Sequence, residues 1–264
     1  MEPTIVTTAA EAAVPMIEFT GLTKRYGSGQ TILDSMNLSI SKGEFVTLIG
    51  PSGCGKSTAL KLIAGLAVPT AGTITVDGMT PKNAREIVSF IFQDATLLPW
   101  RTVQQNVGLG LELEGVESNR RKEKTSQLLE LVGLQHMADA YPRELSGGMK
   151  MRVSIARALA TSPKLLLMDE PFAALDEMSR DRLNEELLRL RTEQKWTAVF
   201  VTHSVAEAVF LSTRIVVLAS NPGRIHAVLP IDLALPRTAA LRDTPEFEAR
   251  VLQVSHALRA ALLQ

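Results

Sequence analysis

The chain has 264 residues, 45% of them hydrophobic, which is enough to build the core of one large or two modest domains. Lys and Arg together number 28, as do Asp and Glu, so net charge gives no argument for binding nucleic acid or an anionic membrane surface. The single cysteine excludes an internal disulfide and fits a reducing compartment. No apolar run approaches the ~20 residues of a membrane-spanning helix, so we expect one α/β domain that does not itself cross a bilayer.

Residues 1–15 are rich in Thr and Ala and lack the basic start and apolar core of a secretory signal. We expect them to form a disordered tail, followed by a single domain over residues 16–264. Short β-type apolar runs then recur between glycines, which predicts a β-rich first part. These runs cover residues 17–20, 45–49, 73–76 and 88–92.

From about residue 95 to 160 the apolar spacing becomes helical, which predicts a helical insertion. Apolar runs return at 165–168, 198–202 and 215–219, the first two separated by a helical pattern, as expected of a parallel sheet. The last stretch, about 245–263, has apolar residues at helical spacing. We interpret that face as core packing, with a partner-binding helix as the alternative.

A glycine-rich segment follows the apolar run 45–49 and precedes a helical pattern. Its pattern, G-x-x-x-x-G-K-[ST], lets backbone N–H groups turn inward on phosphates, while Lys56 reaches the outer phosphates and Ser57 offers a hydroxyl to Mg²⁺. The segment predicts a nucleoside triphosphate site but leaves kinases, GTPases and ATPases open. It reads Gly50, Pro51, Ser52, Gly53, Cys54, Gly55, Lys56, Ser57 and Thr58.

Cys54 occupies a variable position of this segment, which argues against a catalytic thiol. Because it lies inside the loop, we expect a bulky maleimide attached to Cys54 to block nucleotide entry.

Two further segments place polar groups at the ends of predicted elements. Ser146, Gly147 and Gly148 stand where a helix begins, which predicts a second phosphate-binding turn, although Ser146 alone is also explained as a helix cap. Asp169 and Glu170 end a buried strand, where ligands bind in open α/β sheets. We predict that Asp169 holds Mg²⁺ and that Glu170 accepts a proton from the attacking water.

Together these motifs resemble those of the ABC ATPases, in the family's order. Leu145 to Met149 resembles the family signature, with Met149 where many members have Gln. The resemblance implies an α/β P-loop NTPase of the ABC type: a mixed-sheet core with an antiparallel β subdomain and a helical insertion subdomain.

The resemblance also implies roles for residues whose pattern alone decides nothing. His203, at the end of an apolar strand, contacts the γ-phosphate; Gln93 touches Mg²⁺ and the attacking water; Tyr26, which lies 24 positions before Gly50, stacks on adenine. The segment Ala174 to Asp176 joins the two nucleotide sites of a dimer. The implied ligands are ATP and Mg²⁺.

In such enzymes two copies pack head to tail, each ATP lying between the phosphate loop of one copy and the signature serine of the other.

The segment from Asp94 to Val103 contains three large apolar residues and predicts an exposed surface for a membrane subunit, or else a buried loop. This segment, Met149 and the tail around Gly223 resemble the importers of nitrate, sulfonates and taurine. Met151 departs from the pattern, since relatives have Gln there, and we expect a small change in helix packing.

We therefore predict the ATP-hydrolysing subunit of a bacterial importer of a small anion, peripheral to the cytoplasmic face of the cell membrane. The implied partners are a second copy, multi-span permease subunits and, indirectly, a solute-binding protein, with no nucleic acid. A soluble nucleotide-gated clamp in translation or DNA repair and an export ATPase are the alternatives. A clamp of that kind usually has tandem ATPase units or a long coiled coil, and this sequence has neither.

Overall fold

The computed structural model describes residues 14–27, 29–173 and 175–262. The predicted tail falls almost entirely outside these residues. The strands are β1 (Ile17–Tyr26), β2 (Gln30–Ile40), β3 (Phe45–Ile49), β4 (Ala71–Val76), β5 (Val88–Ile91), β6 (Leu165–Asp169), β7 (Thr197–Val201), β8 (Arg214–Ala219) and β9 (Arg224–Pro230). The α-helices are α1 (Lys56–Ile63), α2 (Val103–Val107), α3 (Leu109–Leu113), α4 (Ser118–Leu131), α5 (Gly147–Ala160), α6 (Glu177–Gln194), α7 (Val205–Leu211) and α8 (Pro245–Leu262).

A six-stranded sheet forms the centre of the fold, in the order β5-β6-β7-β3-β8-β9. The first five strands are parallel and β9 runs antiparallel to β8. Strands β3, β6 and β7 are buried at every position because helices cover both faces of the sheet. Their carboxyl ends therefore meet at one edge, and the loops after them share that edge.

A second, antiparallel sheet has the order β2-β1-β4. Where the pleat is regular, side chains of this sheet alternate between buried and exposed. Residues 36–40 of β2 show this, because Met36, Leu38 and Ile40 are buried and the residues between them are exposed. Gly223 joins the two sheets, because its carbonyl accepts from the N–H of Asp34 at 3.0 Å and its N–H donates to the carbonyl of Ile32 at 2.9 Å.

The helical region from α2 to α5 is tied to the loop after β5 by two side chains. Asn106, which is fully buried, accepts from the N–H of Leu98 at 2.8 Å and donates to the carbonyls of Leu98, Arg101 and Thr102. Arg157 of α5 donates to the carbonyls of Ala95 and Thr96, both at 2.9 Å. Residues 95–102 are therefore fixed to α2 and to α5.

The positions of the predicted strands agree with β1, β3 to β8 within a few residues, except that β1 extends to Tyr26. Two strands, β2 and β9, were not predicted. The helix at the C-terminus is present as α8, and it packs in the core through Phe247, Val254 and Ala261. No helix among the described residues has both the length and the apolar character to cross a membrane.

Candidate nucleotide site

The loop between β3 and α1 is shaped by glycines. Gly53 and Gly55 have φ angles of 80° and 95°, a left-handed conformation that favours glycine. A Cβ on Gly50 would stand 2.6 Å from the carbonyl oxygen of Leu218, and one on Gly55 would stand 2.4 Å from a methyl carbon of Leu33. The neighbouring strands therefore leave room for glycine only, which fixes the course of the loop.

Lys56 begins α1 and is only 6% exposed. Its ammonium group donates to the carbonyls of Gly50 and Pro51, at 2.8 and 3.0 Å. The loop thus encloses a positive charge beside the helix N-terminus, and both features attract phosphate.

Ser57 and Asp169 meet at the carboxyl edge of the central sheet. The Ser57 hydroxyl donates to Oδ1 of Asp169 at 3.0 Å. Burial is the main influence on Asp169 and raises the pKa of its carboxyl group, while the hydrogen bond from Ser57 acts in the opposite direction. A hydroxyl and a carboxylate oxygen this close are donors of the type that Mg²⁺ prefers, so these residues fit a magnesium site.

Glu170 and His203 form a pair at the same edge. Nε2 of His203 lies 2.8 Å from Oε1 of Glu170. The backbone of Glu170 has a φ of 50°, uncommon for a residue other than glycine, and its N–H donates to the carbonyl of Val201 at 3.0 Å. This turn directs the Glu170 side chain toward the strand that delivers His203.

The phosphate loop, Glu170 and His203 line one cavity of about 350 Å³. Tyr26 lines it with a ring that is 45% exposed, and Nζ of Lys24 lies 4.7 Å from the ring centroid. The cavity therefore has the aromatic ring of Tyr26 at one side and the glycine-rich loop, Glu170 and His203 at the other. Its lining is Tyr26, Ile32, Ser52, Gly53, Gly55, Lys56, Ser57, Thr58, Glu170 and His203.

Several predicted site residues do not line this cavity. Gln93 is exposed just after β5, the strand next to β6. Ser146 caps α5 by accepting from the N–H of Met149 at 3.3 Å, and it is exposed, as is Gly147, while Gly148 is half-buried. Asp176 caps α6 by accepting from the N–H of Ser179 at 2.9 Å; Ala174 lies outside the described residues.

The thiol of Cys54 does not face the cavity. Cys54 is fully buried within the cluster that contains Leu33 and Leu218, and burial raises the pKa of its thiol. We therefore expect maleimide to react slowly with Cys54 in the folded protein, because a buried neutral thiol reacts slowly. The block of nucleotide entry by an attached maleimide stays a prediction.

Sequence reasoning missed two residues that shape the site. Ile32 of β2 lines the cavity, and a Cβ on Gly223 would stand 2.1 Å from the carbonyl oxygen of Cys54. The apolar alternation of Met36, Leu38 and Ile40 was a signal for β2 and hence for Ile32. Gly223 offered no comparable signal, since the contact is made by chain distant in sequence.

The family profile described as ABC transporter matches residues 33–173. The chain belongs to this family. It is 46% identical over 223 residues to the aliphatic sulfonates import ATP-binding protein SsuB of Bacillus subtilis, covering 84% of this chain and 85% of that protein. It is 50% identical over 214 residues to the bicarbonate transport ATP-binding protein CmpC of Synechocystis, covering 80% of this chain and 32% of that longer protein.

Among solved structures, the fold matches the dimeric, post-hydrolysis ATP-binding cassette MJ0796 bound to ADP and Pi. The TM-score is 0.77 at 33% identity, and the match covers 83% of this chain and all of that one. The predicted family and the fold class, an ABC-type P-loop ATPase with mixed and antiparallel sheets, are confirmed. The chain is an ATP-binding, ATP-hydrolysing member of the ABC transporter family.

Proposed function

We propose that this ABC ATPase is the motor subunit of a bacterial importer for a small anion. The observation that carries the proposal is the convergence of Lys56, Ser57, Asp169, Glu170 and His203 at one sheet edge, beside a phosphate-binding turn. The similarity to ATP-binding subunits named for sulfonate import and bicarbonate transport supports the choice of solute class.

The phosphate loop binds the triphosphate. Backbone N–H groups from Ser52 to Thr58 and the N-terminus of α1 face its oxygens, and Lys56 exchanges its bonds to the loop carbonyls for bonds to the outer phosphates. Tyr26, half-exposed at the cavity rim, stacks on the adenine. Gly50, Pro51 and Cys54 contribute by holding the loop in this course.

Ser57 and Asp169 would hold Mg²⁺, and Gln93, just after β5, would contribute to the same site. When bound, Mg²⁺ supplies neutralising charge for the outer phosphate oxygens. Burial favours the protonated form of Asp169, whereas the hydrogen bond from Ser57 favours the carboxylate form that would bind the metal.

Glu170 accepts the proton of the attacking water. Its carboxylate lies at the cavity wall and its partner His203 is 51% exposed, so His203 can turn to the γ-phosphate while Glu170 turns to the water. General-base catalysis of this kind contributes about 10² to 10⁴ in rate, and the rest comes from the charge and N–H groups around the phosphates.

A second copy completes the site. Ser146, Gly147 and Gly148 form an exposed turn at the N-terminus of α5, outside the cavity of their own chain. In a head-to-tail homodimer this turn faces the ATP held by the other copy, so ATP holds the dimer closed until hydrolysis. The dimeric form of the matched cassette structure supports this arrangement.

The loop after β5 provides a docking surface for a permease. Of its three large apolar residues, Trp100 is 70% exposed, whereas Leu97 and Leu98 are half-buried. A cleft of about 520 Å³ lies beside Trp100 and is lined by Arg101, Gln104 and Arg121, among others. An exposed aromatic group at the rim of a polar cleft is typical of an interface anchor. Binding to the permease would place the ATPase at the cytoplasmic face of the membrane. An external solute-binding protein would deliver the solute to that permease.

Affinity purification tests the proposal. The tagged chain, purified from detergent-solubilised host membranes, should recover a multi-span permease identified by mass spectrometry. The Trp100→Glu variant should lose the permease while binding ATP normally, and an exposed-surface variant distant from the cleft, Leu252→Glu, should retain it. Recovery of ribosomal or DNA-repair proteins by all three would overturn the transport function and leave the ATPase chemistry standing.

A further inference from the structure

A second cavity, of about 300 Å³, lies behind the Glu170–His203 pair. Glu170 and His203 line both this cavity and the one at the phosphate loop, so the pair forms the wall that the two cavities share. On the far side the lining includes Thr202, Arg180 and Glu207, whose polar groups have no part in the chemistry described above.

Thr202 connects His203 to a buried carboxylate. Its hydroxyl donates to Oε2 of Glu207 at 2.5 Å and accepts from the N–H of Ser204 at 3.0 Å. These two bonds hold the residues on either side of His203. Thr202 and Glu207 are each only 5% exposed, so water competes weakly for the bonds between them.

Arg180 connects the same carboxylate to the segment before α6. Its Nε lies 3.3 Å from Oε1 of Glu207, a contact of charges without a directed hydrogen bond. One terminal guanidinium nitrogen donates to the carbonyl of Leu175 at 3.0 Å, and the backbone N–H of Arg180 donates to the carbonyl of Asp176 at 2.9 Å. Glu207 therefore stands between the His203 loop and the segment that follows Glu170.

Glu207 is a buried acid, and burial disfavours its charged form. Burial raises its pKa, and the charged groups that face it are Arg180 and Arg242, which favour the carboxylate, and Asp181, which opposes it. A buried carboxylate is destabilising unless its oxygens are bonded. Here one oxygen is bonded to Thr202 and the other faces Arg180, so both are committed to holding loops of the active site.

We propose that Thr202 and Glu207 are positioning residues for His203, and that Arg180 couples their placement to the segment around Leu175. The inference rests on the proposed role of His203 in hydrolysis. The hydroxyl of Thr202 sets the course of the backbone at His203, Glu207 fixes that hydroxyl, and Arg180 ties both to the other loop. None of the three lines the cavity at the phosphate loop.

Substitutions at Thr202 separate its hydroxyl from its volume. In Thr202→Val the shape is kept and the bond to Glu207 is lost; in Thr202→Ser the bond is kept. We expect the valine variant to lower the kcat of ATP hydrolysis about tenfold or more, since small misplacements of a reacting group reduce rate steeply. The KM for ATP should change less than about twofold, and the serine variant should retain most of the activity. Thermal unfolding establishes that both variants are folded.

A double-mutant cycle with His203→Ala decides whether the effect passes through His203. In that background Thr202→Val should reduce turnover little further, because its effect is already lost. An equal further reduction would show a general structural effect and overturn the proposal, as would a Thr202→Val enzyme with wild-type kcat. If His203→Ala itself leaves turnover unchanged, the proposed role of His203 fails instead.

Variants at Glu207 test the next link. Glu207→Gln keeps an oxygen that accepts from Thr202, so it should retain more kcat than Glu207→Ala. Equal kcat values for folded Gln and Ala variants would remove Glu207 from the positioning role. Where the alanine variant fails to fold, the Thr202 pair and its cycle still decide the proposal.

Discussion

The two helix N-termini that we propose to bind phosphate, those of α1 and α5, differ in how much of their surroundings the chain itself supplies. At α1 the loop packs against Leu33 and Leu218 and encloses Lys56. At α5, Ser146 and Gly147 are exposed, and a Cβ on Gly147 would meet no atom within 4 Å. The first turn is completed by intramolecular packing, whereas the second is open on its outer side. If the nucleotide site is divided between two copies, as we propose, the copies must associate before hydrolysis.

The largest expected effect comes from disabling the chemistry while leaving the first turn intact. Glu170→Gln removes the proton acceptor, so turnover should fall by about 10² or more. ATP binding should persist, and an ATP-bound dimer should accumulate in size-exclusion chromatography. The exposed Glu130→Gln is a matched control with normal turnover. Normal hydrolysis by the Glu170 variant would exclude it as the base.

Complementation tests whether the two turns come from different chains. Lys56→Ala disables the first turn and Ser146→Arg the second, so each variant alone should hydrolyse little ATP. A one-to-one mixture should recover up to about a quarter of wild-type turnover, because heterodimers contain one site with both turns intact. A mixture that forms heterodimers by cross-linking and still shows no recovery would contradict the head-to-tail arrangement.

Gly223→Ala tests the packing that completes the first turn. The new Cβ would stand 2.1 Å from the carbonyl oxygen of Cys54, so the phosphate loop must shift. We expect a loss of about 1–3 kcal/mol in the free energy of unfolding, measured with denaturant, and weaker ATP binding. Val228→Ala, at an exposed position of β9, the strand that follows Gly223, should change neither. Equal results for the two variants would exclude Gly223 from shaping the loop.

The smallest effect concerns the thiol under the loop. Because burial raises the pKa of the Cys54 thiol and shields it from solvent, maleimide should react slowly at pH 8. Its rate should level off at a higher pH than that of an unperturbed thiol, whose pKa is about 8.5. In a Cys54→Ser background, the exposed Ser52→Cys thiol should react quickly and be protected by ATP. Rapid labelling of Cys54 at pH 8 would show that the loop opens readily.

Sequence patterns were most informative where a strand and its polar residues lie in one short segment. Asp169 and Glu170 directly follow the apolar run 165–168, and Lys56 and Ser57 follow the glycine-rich turn after residues 45–49, so strand and candidate site residues were visible in one segment. The parallel sheet then placed their loops at one edge. The fold class followed from the order of these motifs and was confirmed by the comparisons.

Prediction was less successful where a role depends on chain distant in sequence. Ile32 was missed because β2 contains a bulge near Ser35, where φ is 47°, which interrupts the alternation of side chains. Gly223 and the inward orientation of Cys54 are consequences of how β2, β9 and the phosphate loop meet. No local pattern contains that information.

The attachment of residues 95–102 to two helices has a mechanical consequence. Asn106 holds the end of this segment to α2, and Arg157 holds its beginning to α5, the helix that starts at the Ser146 turn. The segment is therefore held at both ends to helices. We expect a displacement of Trp100 to be transmitted through Arg157 to α5 and to the Ser146 turn at its start.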